Sequence, residues 1–290
     1  MTFNADNYNK YTHFHVSYPV EDVAHVEINL PKTGNSFVSE TWHQYKDLMW
    51  ELDADTHVKC IVLSGVGRNF SSGLNLKAAT IEMQKAISGE TRSKSSQKTA
   101  NDNVYHFAKD FQECIAATAQ IATPSIAVAH GVAYGLAVDL LSTTTIRLAV
   151  KNSTRFSIKE IDIGIVADIG SLQRMPALVN NKSRLYELAL TAREFKGEEA
   201  LELGFVSQLL DTKEQALEKA LEIAERIVSH KQWCIEGTKA EIQFMVDGGT
   251  VNEGLERVAV FQADNLGQEF NLPEQSASVV QSFKSEKSKL

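Results

Sequence analysis

Cysteine is scarce in this chain: Cys60, Cys114 and Cys234 are far apart and odd in number. They form no CxxC pair and no Cys/His cluster. No disulfide framework and no metal motif is therefore expected, and the thiols read as the reduced ones of a non-secreted protein. Basic charge is short as well. With 29 Lys and Arg against 37 Asp and Glu, the net charge is −8, which lacks the clustered basic excess of a nucleic-acid binder. A phosphorylated ligand stays open, since a few local cations or a helix N-terminus hold a phosphate. No apolar run approaches the roughly 20 residues of a membrane helix, and the segment Met1 to His15 has no apolar core of a secretory signal. Walker and GxSxG sequences are missing. Gly65-Val66-Gly67-Arg68-Asn69-Phe70 opens like a dinucleotide fingerprint but carries Phe70 where its last glycine belongs. His13 and His15 alternate on one strand with no third ligand near and read as surface histidines.

What is present is an ordinary soluble composition, 43% hydrophobic and 23% charged over 290 residues, enough for one large core with a helical appendage. Phe14 to Tyr18 and Val23 to Leu30 alternate like strands, and Val38 to Leu52 carries helical spacing through Trp42, Tyr45, Leu48 and Met49. Lys59 to Ser64 reads as a short buried strand and Lys77 to Ala86 as a helix. Lys85 to Asn103 is polar and reads as a surface loop. An amphipathic helix is expected over Tyr105 to Ile121, then a strand at Ile126 to Ala129, a helix from Leu136, and strands near Thr145 to Val150 and Arg155 to Ile158. From Ser171 onward the pattern is mostly helical. The division expected is a strand–helix core over 1–211 and a helical region over 212–290 suited to packing against itself or a partner.

Two glycine turns each follow a strand and open a helix: Ser64 to Leu76, and Ala129 to Asp139. Each places backbone N–H groups where no internal acceptor exists, and as a pair they suit an oxygen that gains negative charge. Three carboxylates accompany them. Asp139 lies in the first turn of its helix and Glu160 just past a strand. Asp168 sits in the apolar run Ile163-Gly164-Ile165-Val166-Ala167-Asp168-Ile169-Gly170, where burial would raise its pKa toward neutrality. Read locally, Asp168 is also a candidate N-cap for a helix starting at Ser171.

These motifs resemble the crotonase, or enoyl-CoA hydratase/isomerase, superfamily from about Val23 to the C-terminus. Leu30-Pro31-Lys32-Thr33-Gly34-Asn35-Ser36 is similar to its early Pro-x-x-x-Asn-Ala segment. Ser64 to Leu76 is similar to its SGxGxxFxxGxDL motif, with Asn75 in place of Asp, and Thr123 to Asp139 to its second strand–turn–helix, with Leu136 and Ala137 where glycines are usual. Within the superfamily the carboxylates resemble those of the Δ3,5-Δ2,4-dienoyl-CoA isomerases, because Asp139 replaces a hydratase glutamate and Asp168 replaces a Pro-Gly turn. The resemblance implies an α/β fold, a spiral of ββα units with C-terminal helices that assemble trimers or hexamers. It also implies an oxyanion hole from the N–H groups of Ser72 and Leu136, with Ser71, Gly73, Leu74 and Gly135 around the substrate. Glu160 is implied as the base at C2, Asp168 as the acid at C6, deeper in the pocket, and Asp139 as the group that orients them. Asp162 is expected to be structural. The implied substrate is an acyl-CoA, with coenzyme A arriving on it and no other cofactor. Enoyl-CoA hydratase, Δ3-Δ2-enoyl-CoA isomerase and a silent acyl-CoA-binding or scaffold protein are the alternatives. The terminal Ser288-Lys289-Leu290 matches the tripeptide read by the peroxisomal import receptor, so a peroxisomal matrix location is expected.

Overall fold

The computed structural model describes residues 3–88 and 100–270. Contacts divide the chain into two compact units, Met1–Gln232 and Trp233–Leu290.

The first unit opens on the hairpin β1 (Phe14–Val20) and β2 (Val23–Ile28), followed by α1 (Ser39–Ala54) and β3 (Cys60–Gly65). Two helices, α2 (Leu76–Ser88) and α3 (Ala100–Gln120), precede β4 (Ser125–Ala129), β5 (Val132–Tyr134) and α4 (Leu136–Thr143). Next come β6 (Ile146–Val150), β7 (Arg155–Ser157), α5 (Ser171–Leu178) and α6 (Lys182–Thr191). The unit closes with β8 (Phe195–Lys196), α7 (Gly197–Glu202), β9 (Gln208–Leu210) and α8 (Lys213–Val228). Six strands form one sheet in the order β1-β2-β3-β4-β6-β9, and β5-β7-β8 form a second. Among the described residues, only β1–β2 and β7–β8 pair antiparallel.

The uninterrupted apolar run of β3 has a simple cause. Its strand is central, parallel on both sides and covered on both faces. Ile61 and Leu63 face a core shared with Trp42, Leu48, Met49 and Ile115, whereas Cys60 and Val62 face the opposite way, onto Ala216, Ala220 and Ala224 of α8. Those alanines recur every fourth residue, so one stripe of small side chains lets α8 lie close to the sheet. The first unit therefore runs one helix beyond the division at Asp211 read from the sequence, and α8 belongs to the core.

Other boundaries shift for local reasons. The segment read as a loop from Lys85 to Asn103 is helical at both of its described ends; the cations Arg92, Lys94 and Lys98 lie outside the described residues. Asn101, Asp102 and Asn103 hid the start of α3 because they supply no apolar stripe, yet Asp102 suits a helix first turn. Strands β8 and β9 are two and three residues long, too short for a period, and exist through pairing with β7 and β6. Asp168 caps nothing: α5 starts after Gly170, which has no side-chain cap. His13 and His15 find ordinary partners, Thr41 Oγ1 at 2.9 Å and Glu27 at 3.4 Å.

The second unit holds α9 (Gln232–Val246) and α10 (Val251–Phe270). Trp233 meets Phe261 at 6.2 Å between ring centroids, and Arg257 lies over Phe244 at 4.4 Å. Ile242, Leu255 and Val260 remain exposed. Among the described residues no helix is long and apolar enough to cross a membrane.

Phe156 stacks on Phe195 at 5.2 Å and meets Phe205 edge-on at 5.7 Å, all three fully buried where β7 joins the core. Phe156→Ala is expected to destabilise the fold by about 3–5 kcal/mol, read as a lower urea midpoint with unchanged slope.

Candidate active site

The site begins where two backbone turns cross. Phe70 N–H donates to His130 O at 2.7 Å, Ser71 N–H to Val132 O at 3.1 Å, and Tyr134 N–H to Ser71 O at 3.2 Å. The crossing leaves no room for a side chain at Gly73, where φ is +89° and a Cβ would stand 2.4 Å from Tyr134 O and 3.5 Å from Leu136 N. Asn35 braces the first turn from below. Its Nδ2 donates to the carbonyls of Val66, Asn69 and Phe70 at 3.0, 2.8 and 3.2 Å, and its Oδ1 accepts Leu30 N–H at 2.9 Å. The Pro31-to-Ser36 motif pointed at this segment without showing Asn35's role.

Beside the crossing lies a cavity of about 260 Å³, lined by Gly73, Leu74, Gly135, Leu136 and all three candidate carboxylates. Leu74 and Leu136 each present an N–H with no protein acceptor among the described residues. Ser72 also lines the cavity, but its N–H donates to Gly34 O at 2.9 Å. The donor pair offered by the structure is thus Leu74 and Leu136, a correction of two residues to the first member. Leu136 needs no glycine, because as the first residue of α4 its N–H is free by position. Ser71 does not line the cavity. It is buried, and its Oγ donates to Asn35 O at 2.7 Å while accepting Gly73 N–H at 3.1 Å.

The carboxylates differ in depth. Asp139 is 1% exposed, and its Oδ1 accepts the Ser171 N–H at 2.6 Å, which ties α4 to the start of α5. Burial, reinforced by the nearby Glu160, pushes its pKa up to about 7, against the Ser171 hydrogen bond and the charge of Arg174. Glu160 opens a short 3-10 turn, Glu160–Ile163. Its Oε1 comes so near Gly135, where φ is +52°, that a Cβ there would stand 2.9 Å away. Its Oε2 is buried with no hydrogen-bond partner among the described residues. Burial raises its pKa, and the charge of Asp168 adds to the effect. Asp168 is exposed at the cavity mouth, not deeper than Glu160 as expected, and partial withdrawal of its carboxyl from water raises its pKa too. Gln112 of α3 fixes its backbone, Nε2 donating to Asp168 O at 2.6 Å; nothing in the sequence marked that contact. Asp162 pairs with Lys159 at 3.0 Å on the rim. Phe111, Leu76, Ile163, Ile165 and Ile169 make the remaining wall largely apolar.

Free backbone donors and carboxylates with raised pKa thus line one largely apolar cavity. Comparison with known proteins places it. The family model described as enoyl-CoA hydratase/isomerase matches residues 20–276. The peroxisomal Δ3,5-Δ2,4-dienoyl-CoA isomerase of Arabidopsis thaliana is 35% identical, with 84% of this chain and 85% of that protein aligned. The human mitochondrial protein of the same name is 30% identical over 88% of this chain and 76% of its own. Among solved structures, an enoyl-CoA hydratase from Bacillus anthracis superimposes with a TM-score of 0.77 at 21% identity, covering 94% of this chain and 96% of that one. The chain belongs to the enoyl-CoA hydratase/isomerase family and is an isomerase.

Because the folded-state pKa of Asp139 lies above its ordinary 3.8, the fold prefers the protonated acid. The stability this contributes is complete below that ordinary value and is lost as pH rises through about 7. Asp139→Asn should therefore remove much of the decline in unfolding free energy between about pH 4 and pH 7. Parallel curves for the two proteins would contradict the assignment.

Proposed function

We propose that the chain converts 3,5-dienoyl-CoA thioesters to 2,4-dienoyl-CoA thioesters in the oxidation of unsaturated fatty acids. The observation that carries this reading is the coexistence of two acids with raised pKa, Glu160 and Asp168, in one cavity beside two free N–H groups. Its Arabidopsis and mammalian relatives bear the name of that activity.

The Leu74 and Leu136 N–H groups hold the thioester oxygen and stabilise the negative charge that forms when C2 loses a proton. Glu160, whose Oε2 has no protein partner, accepts that proton. The double bonds move from C3–C4 and C5–C6 to C2–C3 and C4–C5 as protonated Asp168 delivers a proton to C6. Proton count is conserved, and the resting state returns when Glu160 releases its proton to water and Asp168, which is exposed, takes one from water. Mutual repulsion of the two carboxylates favours one shared proton, the state the cycle needs. Asp139 acts by position: its hydrogen bond to Ser171 holds the start of α5, and with it the turn bearing Asp168. Coenzyme A enters as part of the substrate, and the reading requires no metal or redox group.

Exposed apolar residues on α10, Leu255 and Val260 among them, support assembly into trimers or dimers of trimers. Ser288-Lys289-Leu290 lies outside the described residues and supports peroxisomal import as a sequence motif.

The test is turnover of a 3,5-dienoyl-CoA beside hydration of a 2-enoyl-CoA, with the first fast and the second slow. Hydration alone would overturn the reading. Glu160→Gln and Asp168→Asn should each lower kcat by about 10²–10⁴-fold with product affinity nearly unchanged. The kcat–pH profile should be bell-shaped, rising as Glu160 ionises above its ordinary range and falling as Asp168 loses its proton. Leu136→Pro removes one N–H at a helix position that tolerates proline, so kcat should fall roughly 10²–10³-fold while the circular dichroism spectrum stays the same.

A further inference from the structure

Outside the cavity, α1 and α3 bring together three side chains of metal-binding type: His43, Asp110 and Cys114. One ligand atom from each lies within 4.8 Å of the others. Asp110 and Cys114 are four residues apart and share a face of α3. The ligands' neighbours are locked in place, Trp42 stacked on Phe111 with 4.0 Å between ring centroids.

The hydrogen bonding of His43 separates this cluster from an ordinary surface contact. Its Nδ1 is 2.8 Å from the carbonyl of Ser39. A carbonyl only accepts, so Nδ1 carries the proton. In the neutral ring Nε2 is then a bare lone pair, and it faces the Asp110 carboxylate oxygen at 3.0 Å. Two acceptors at that distance need a cation between them, either a second proton on the ring or a metal ion. An Nδ1–H held by a backbone carbonyl is the usual outer support of a metal-bound histidine. The thiol of Cys114 adds a ligand that an imidazolium–carboxylate pair has no use for. Asp47 and Glu113, whose charges reach the thiol, make the surroundings negative, with Lys46 opposing them in an ion pair with Glu113.

We propose that His43 Nε2, Asp110 and Cys114 Sγ form a zinc site with one open position for water. One nitrogen, one oxygen and one sulfur suit zinc in preference to magnesium or calcium. Metal–ligand bonds of about 2.0–2.3 Å require the ligand atoms to draw together, and the exposed His43 and Asp110 side chains can move toward the buried sulfur. The thiol gives up its proton on binding. The same turn of α3 supplies Phe111 to the cavity wall and Gln112 to the Asp168 carbonyl, so the ion ties α1 to the wall of the catalytic pocket.

The experiment uses the full, tag-free chain stripped of metal and titrated with Co²⁺ as the spectroscopic stand-in for zinc. Expected are one equivalent bound, a thiolate-to-cobalt charge-transfer band displaced by zinc, and a rise in Tm with zinc. His43→Gln, a change at an exposed position, should weaken binding at least tenfold. Cys114→Ser should abolish the band, while Cys60→Ser and Cys234→Ser keep it. Absence of the band in the wild-type chain, or equal binding by His43→Gln, would overturn the site and leave a protonated His43–Asp110 ion pair in its place.

Discussion

Two backbone turns lie closer together here than any side chain would allow, and the site depends on that approach. The parallel register of β3 with β4 sets Leu63 beside Ala127, so the chain leaves both strands at neighbouring points. Gly73 then fits against Tyr134, and Leu74 and Leu136 keep their N–H groups free on one side of a cavity. A Cβ at Gly73 would strike the Tyr134 carbonyl at 2.4 Å, pushing the two free N–H groups apart. Donors fixed in place before charge develops cost no reorganisation when it does, which makes them worth far more than the same groups in water.

Burial grades the three carboxylates around this cavity. Asp139 is enclosed, accepts the Ser171 N–H and favours its protonated form, so it serves the fold. Glu160 is half-buried, with one oxygen pressed close to Gly135 and the other unpartnered. Asp168 stands at the mouth on a turn that Gln112 holds by its carbonyl. The same carboxyl group thus meets three environments, set by water access and hydrogen bonding.

The fold was legible wherever pattern and local chemistry agreed. The buried run of β3, the stripe of α1 and both glycine turns all appear in the structure. Burial of Asp139 was not legible, because its partner Ser171 is distant in sequence and joined only through packing of α4 on α5. The sequence points to Ser72 where the structure leaves the Leu74 N–H free, for a similar reason. Which N–H groups of a glycine turn are free depends on Gly34 returning to take the one at Ser72. Strands β8 and β9 carry no signal of their own, and the polar start of α3 imitated a loop. The grouping of His43 with Asp110 and Cys114 follows from two helices packing side by side, which no spacing rule detects.

The central claim is that one carboxylate takes a proton from C2 and a second delivers one to C6. Running the conversion of a 3,5-dienoyl-CoA in D2O and locating the label by NMR tests it most directly. The account predicts deuterium at C6 of the 2,4-dienoyl product and no oxygen added to the chain. Deuterium at C4 with C6 unlabelled, or a 3-hydroxyacyl product, would contradict it.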